Sequence, residues 1–438
     1  MAQPFSLRPD RSVRAVFPHT ALLEGNMTIA GQPAVNNSYD NANRLTQIGQ
    51  GTSTVAFAYD AAGRTSLTLA NGVVMSYSYD AASQLTGLTY TLGATTLGNL
   101  SYAYDNAGRR TVMGGSFART GLPLPVSTTV YNANNQLTTW GTATLTYDAN
   151  GNMTSDGTNA FTWDARNQLA SMNLGAIGFQ YDPFGRRVGK IIASTTTNYL
   201  YDGANIVQEL SGGLATANLL SGGVDEVFTR TDAGGARNFL ADALGSVLAL
   251  ADSAGTLQTQ YTYEPFGNTT LNGSTTTNSF AYTGRELDGT GLYFYRARYY
   301  NPTLQRFVSE DPLGFGGGDV NLYAYVSNSP PNFTDSCGMI GPLFPFPIPL
   351  PLPLRKPLSG RKNPPQNPPQ PPQQPRFRWP WRELTPKEKC LRDCVLAYAA
   401  ELTLCAFEVE VPPFALGCAT AASIVLTACR NKCNRQYP

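Results

Sequence analysis

Seven Tyr-Asp pairs punctuate the chain, at Tyr39-Asp40, Tyr59-Asp60, Tyr79-Asp80, Tyr104-Asp105, Tyr147-Asp148, Tyr181-Asp182 and Tyr201-Asp202. Tyr131-Asn132 and Trp163-Asp164 are degenerate copies, and the spacings run from 16 to 27 residues. Each pair opens a turn, often with Gly and then Arg, as in "YDAAGR", "YDNAGRR" and "YDPFGRR". A repeat of this period restricts the fold to a stack of small, similar units. Tyr suits a half-buried strand, Asp opens a turn by accepting backbone N–H groups, and Gly supplies positive φ. Asn71-Gly72 is a hairpin signal between alternating residues. A unit of about 20 residues holds two ordinary strands and their turns, and such a hairpin is stable only when stacked. The expected fold is mainly β, a spiral of hairpins over 39–279, after an irregular N-terminal segment, 1–38.

Composition agrees and excludes some chemistry. Only 14% of the 438 residues are charged, so Thr, Ser, Asn, Gln and Gly must supply the polar surface. That favours strands and turns over helices. A formal net charge of +1 gives no global field for nucleic acid or membrane. The single histidine, His19, lies in the irregular N-terminal stretch, so multi-histidine metal sites within the chain are excluded. A Ser-His-Asp triad would have to use His19. No 18-residue apolar run marks a transmembrane helix, and no secretory signal peptide is recognisable. The Gly-rich "GFGGGD" at 314–319 lacks the Lys-Ser/Thr of a phosphate loop. "YFYRARYY" is read as filling the interior of the β structure rather than binding nucleic acid.

Residues 280–339, "FAYTGRELDGTGLYFYRARYYNPTLQRFVSEDPLGFGGGDVNLYAYVSNSPPNFTDSCGM", carry the most specific signal. Together with the YDxxGR repeats they resemble RHS/YD-repeat proteins with an RHS repeat-associated core domain. That family includes polymorphic toxins, toxin-complex C components and teneurin-like shells. The resemblance implies a spiralling β-shell enclosing the chain's own C-terminal segment, with 280–339 as the core domain closing one end. It also implies self-cleavage by an aspartyl-type reaction where the core ends.

Two short acidic turns carry that implication: "SEDPLGF" at 309–315 and "FTDSCGM" at 333–339. Asp311 matches the family's first motif, Arg306 its preceding arginine, and Asp335 the turn at the cut. Asp319 is a candidate second carboxylate, and the cut falls between Met339 and Ile340. Two neighbouring carboxylates cannot both ionise readily, so one can serve as acid and the other as base. Ser336 stands where the family has proline, and Met339 where it has leucine. Against the cleavage reading, Asp311 and Asp335 are simply turn openers.

At Ile340 the composition changes. Residues 340–380 hold 15 of the 31 prolines, six Lys/Arg and no acid. A Pro-rich extended linker is expected over 340–385. Beyond it, over 386–438, six cysteines stand in mirror order about Pro412-Pro413: Cys390, Cys394, Cys405, Cys418, Cys429 and Cys433. On an antiparallel α-helical hairpin these would meet as Cys390–Cys433, Cys394–Cys429 and Cys405–Cys418. Three disulfide rungs, a four-cysteine metal site from the outer two pairs, and free buried thiols are the three readings.

The functional expectation is an RHS-type toxin carrier that releases a variable C-terminal effector. The alternative is a surface or adhesion protein, or a relic, that never cuts. The carrier reading implies a secreted or cell-surface bacterial location. Its partners are the chain's own C-terminal segment, an upstream shell segment or subunit, and an immunity protein or secretion-system component. No nucleic acid is expected for the shell, and no cofactor.

Overall fold

The computed structural model describes residues 26–339, all within a compact unit spanning Met1–Arg355. His19, Ile340, the linker at 340–385 and the cysteine hairpin at 386–438 lie outside the described residues. The described chain is antiparallel β with four short 3-10 turns and no α-helix. Sequential strands form a nine-stranded sheet over 26–114, three strands over 129–144, two over 146–155, twelve over 161–273 and four over 286–307. Every strand in each sheet pairs with its sequence neighbour, as expected of stacked hairpins. Pairing begins earlier than the repeat motif suggested: Asn26–Met27 pairs with Val35–Tyr39, so part of the 1–38 segment is strand.

The Tyr-Asp motif is one local device used repeatedly. Asp80 Oδ1 accepts the amides of Ala82 at 2.8 Å and Gln84 at 2.9 Å. Asp105 does the same for Ala107 and Arg109, and Asp182 for Phe184 and Arg186; Asp252, which follows Ala251 rather than a tyrosine, makes the same turn with Ala254 and Thr256. The third residue after the aspartate takes positive φ, which is why Gly108, Gly151 and Gly185 stand there. Where glycine is missing, Asn43, Asn135, Asn167 or Ser83 adopts the same conformation. The strand register slips by one residue at the tyrosine, a bulge that matches this turn type. The tyrosine hydroxyl then reaches the preceding repeat: Tyr79 donates to the Arg64 carbonyl at 2.9 Å, Tyr104 to Leu85 at 2.7 Å and Tyr201 to Arg187 at 2.8 Å. The pair thus closes its own turn and ties it to the turn before.

The twelve-stranded sheet is covered on both faces over its second half. One face packs Leu220, Phe228, Leu240 and Leu248 against Ile48, Phe57, Leu88 and Tyr90 of the nine-stranded sheet. The other packs Leu219, Phe239, Leu250 and Tyr261 against Phe280, Tyr282, Tyr293 and Tyr300. Val247–Ala251 is consequently buried at every position, and its sequence is a continuous apolar run. Tyr293, Tyr295, Tyr300, Phe307 and Tyr325 form a ring cluster with centroids 4.5–6.5 Å apart. Their hydroxyls find partners, as buried phenols must: Tyr300 on the Phe266 carbonyl, Tyr295 on Thr283 and Tyr325. "YFYRARYY" therefore fills an interior of the β structure.

Candidate functional site

The two acidic turns are built alike and meet at one guanidinium. Asp311 Oδ1 accepts the Leu313 amide at 2.8 Å. Asp335 Oδ1 accepts the amides of Gly338 at 2.8 Å and Met339 at 3.2 Å. Each aspartate thereby closes its own turn with Oδ1, and Oδ2 is left for Arg298. The Arg298 Nη2 lies 2.8 Å from Asp311 Oδ2 and 3.5 Å from Asp335 Oδ2. Turn-forming and pairing are thus compatible roles of the same carboxylates.

Arg298 begins the strand Arg298–Asn301 and is almost wholly buried. Its guanidinium stacks 3.6 Å from the Phe307 ring centre, and its Nη1 donates to the Leu322 carbonyl at 2.9 Å. Burial pulls its pKa down from the ordinary arginine value, and Asp311 and then Asp335 oppose that. Arg306, the arginine that the resemblance singles out ahead of Asp311, lies elsewhere on the same sheet. Arg306 donates to the Asn135 carbonyl at 3.0 Å and lies over the Tyr131 and Tyr323 rings. Arg298 and Arg306 both belong to the four-stranded sheet, but only Arg298 faces the aspartates. Arg298 comes to the aspartates through the hairpin in which Tyr295 pairs with Arg298.

The chain leading into Met339 is strapped in place, carbonyl by carbonyl. Arg296 Nη1 donates to the Ser336 carbonyl, the Ala297 amide to Cys337 at 3.1 Å, and Arg298 Nε to Gly338. Three consecutive residues hold three consecutive carbonyls, so the position of the fourth, on Met339, follows from the track. Gly338 is essential to this approach. It has φ +68°, and a Cβ there would stand 2.2 Å from the Tyr295 carbonyl oxygen. The turn forms with Ser336 in place of proline because Asp335 and the strap fix it from both sides.

The fourth carbonyl and the Asp311 carboxylate both border Gly317. A Cβ placed on Gly317 would lie 2.7 Å from Asp311 Oδ2 and 3.3 Å from the Met339 carbonyl oxygen. Asp311, Arg298, Gly314, Gly317, Asp319 and Asn321 line a cleft with room for on the order of one water molecule. Asp319 is therefore on the same cleft as Asp311. Its own oxygens accept the Asn321 amide at 2.9 Å and the Ser327 hydroxyl at 3.0 Å. Asp335 does not line the cleft, and its carboxylate is wholly buried. Burial pushes the Asp311 carboxyl above the ordinary carboxylate value; Arg298 and the Leu313 amide pull against that, and Asp335 adds to the rise. A carboxyl shifted upward and facing a water-sized cleft is suited to proton transfer. Among the described residues no cluster of three His, Cys, Asp or Glu could hold a metal ion.

Comparison with known proteins agrees with this architecture. The family profile described as the teneurin YD-shell matches residues 73–330. The tRNA3(Ser)-specific nuclease WapA of Bacillus spizizenii is 33% identical over 162 residues, covering 35% of this chain and 7% of that protein. Toxin subunit YenC2 of Yersinia entomophaga is 39% identical over 93 residues, 20% of this chain and 10% of that one. Toxin protein Tse5 of Pseudomonas aeruginosa is 38% identical over 106 residues, 24% and 8% respectively. The chain therefore spans a tenth or less of the length of these relatives. Among solved structures, the TcdB2–TccC3 complex superposes with a TM-score of 0.53 at 21% identity, over 70% of this chain and 21% of that one. The Photorhabdus luminescens Tc holotoxin pore gives 0.54 at 20% identity, over 71% and 20%. Those likenesses are of fold.

Proposed function

The chain belongs to the teneurin YD-shell family, and from that premise we propose that it is an RHS-type toxin carrier that cuts its own backbone between Met339 and Ile340. The cut frees residues 340–438 as the variable effector segment. Relatives named as toxins support the carrier reading. Its expected partners are its own C-terminal segment, an upstream shell segment or subunit, and an immunity protein or secretion-system component. A secreted or cell-surface location goes with that role.

The observation that carries the reading is the convergence of the Met339 carbonyl and the Asp311 carboxylate around Gly317. In the proposed reaction Asp311 takes a proton from a water in the cleft. The resulting hydroxide adds to the Met339 carbonyl carbon. Collapse of the tetrahedral intermediate breaks the C–N bond, and the Ile340 nitrogen leaves with the proton returned by Asp311. Met339 becomes a carboxyl terminus and Ile340 an amino terminus. Asp319 lies across the same cleft, where it can orient the water. Asp335 holds the turn rather than exchanging protons, because its oxygens face Gly338, Met339 and Arg298. Arg298 fixes both carboxylates and the Gly338 carbonyl. A single turnover on a strapped bond needs little intrinsic catalytic power, because the fold supplies a high effective concentration.

The test is expression of the full chain beside Asp311→Asn. The account expects fragments divided at Met339–Ile340 for the first and one uncut chain for the second. Cutting at the same bond by the variant refutes the role given to Asp311.

A further inference from the structure

The Ser336 carbonyl is held by Arg296, and Arg296 is in turn held by a residue from a distant strand pair. Asp225 lies in the turn between Leu214–Ser221 and Val227–Asp232, and its carboxylate grips Arg296 with two contacts, Oδ1 to Nη2 at 2.6 Å and Oδ2 to Nη1 at 3.2 Å. The same carboxylate accepts from Arg285, whose Nη2 pairs with Glu286 at 2.6 Å and bonds the Phe294 carbonyl at 2.8 Å. Glu286 also meets Arg187, which is fully buried and paired with Asp288, itself bound by Lys190 at 2.9 Å. A continuous run of charge pairs therefore joins the strands of the repeat region to the turn at the proposed cut.

Two backbone features show that this contact is imposed. Arg296 has φ +55° and Asp225 has φ +64°, a region that side-chain-bearing residues seldom occupy. Strained residues persist only where their surroundings fix them, and they gather at functional sites. Arg296 occupies the first loop position of the hairpin joining Tyr293–Tyr295 to Arg298–Asn301, a place where glycine would relieve the strain. An arginine there gives up backbone comfort and gains the Asp225 pair and the Ser336 carbonyl. The approach of the two turns also depends on Gly284, where a Cβ would stand 2.4 Å from the Asp225 carbonyl oxygen.

We propose that Asp225 and Arg296 form a clamp that positions the scissile segment, so that self-cleavage depends on a residue 110 positions ahead of Asp335 in the chain. The clamp deepens the cleavage reading and rests on it: it couples bond breaking to completion of the repeat strands, because Asp225 reaches Arg296 only once its own strands are paired. Neither residue touches the reacting atoms. Both are positioning residues, acting through the Ser336 carbonyl on the register of Met339.

Two measurements test it. In the cleavage-competent chain, Asp225→Asn slows cutting about a hundredfold, the order expected for a misplacement near 1 Å. The melting temperature falls, because Arg285 and Arg296 lose their shared carboxylate, but the variant stays folded at the assay temperature, the pH midpoint of cutting stays close to that of the parent, and Asp225→Glu recovers part of the rate. In the Asp311→Asn background, where no cutting occurs, Asp225→Asn speeds hydrogen exchange of the Gly338 and Met339 amides at least about tenfold. Unchanged cutting in Asp225→Asn, or a loss of cutting seen only at temperatures where the variant is unfolded, overturns the clamp. So does unchanged exchange at Gly338 and Met339. A parent chain that never cuts refutes the cleavage reading instead, and the exchange measurement alone then decides whether the clamp exists.

Discussion

The Asp311 carboxylate and the Met339 carbonyl oxygen both border the side of Gly317 where a side chain would stand, at 2.7 Å and 3.3 Å from the place its Cβ would take. Gly317 does not adopt positive φ, so alanine is tolerable to its backbone. Its methyl group would displace the carboxylate or the carbonyl. Gly317→Ala should therefore slow self-cleavage by about a hundredfold and leave the melting temperature nearly unchanged. A cleavage time course beside a thermal melt checks it. Unimpaired cutting would show that the two groups do not react across this gap.

Cleavage should depend on pH in a definite sense. Asp311 must be ionised to accept a proton, and burial raises its pKa above the ordinary 3.8. The rate should rise with pH through a midpoint above that value, and fall toward acid. Stability runs the other way: between the ordinary and the raised value the folded chain holds a proton that the unfolded chain has released, so stability declines as pH rises through that window. Asp311→Asn removes this contribution to the slope. Rate profiles and melts across acid pH measure both.

Gly338→Ala should abolish cutting by a different route. Its φ of +68° is costly for alanine, by about 1–2 kcal/mol. Its Cβ would also strike the Tyr295 carbonyl oxygen, 2.2 Å away. The strap from Ser336 to Gly338 should come loose, while the sheets over 26–273 stay paired. Exchange protection lost at 336–339 and kept in the strands is the expected pattern.

The repeat turns can be tested without reference to the cut. Asp80→Ala removes the acceptor of two backbone amides, at Ala82 and Gln84. Such a loss costs about 1 kcal/mol for an exposed turn. Tyr104→Phe removes the tie to the Leu85 carbonyl, at a similar cost of about 1 kcal/mol. Denaturant unfolding of each variant measures the change.

The turns were legible in the sequence because all their parts lie within five residues: the aspartate, the amides it accepts and the positive-φ position. Asp311 and Asp335 were singled out by the family resemblance, and as turn openers they show the same short pattern. Arg298 was missed because its link to Asp311 and Asp335 is made by a hairpin and a return of the chain, and three arginines, Arg296, Arg298 and Arg306, stood within eleven residues. Only the structure separates their tasks: Arg296 on Ser336, Arg298 on the carboxylates, Arg306 on Asn135. Asp225 carried no local signal at all. The strand at Asn26–Met27 escaped because it lacks the Tyr-Asp mark on which the repeat was read.

The central claim is that this fold cuts itself once, beside Asp311. Intact mass measurement of the purified chain, non-reduced and denatured, tests it most directly. The account predicts two masses that divide between Met339 and Ile340, and a single full-length mass for Asp311→Asn. A single full-length mass for the parent chain would contradict it, and Asp311 and Asp335 would then be turn residues held by Arg298 and nothing more.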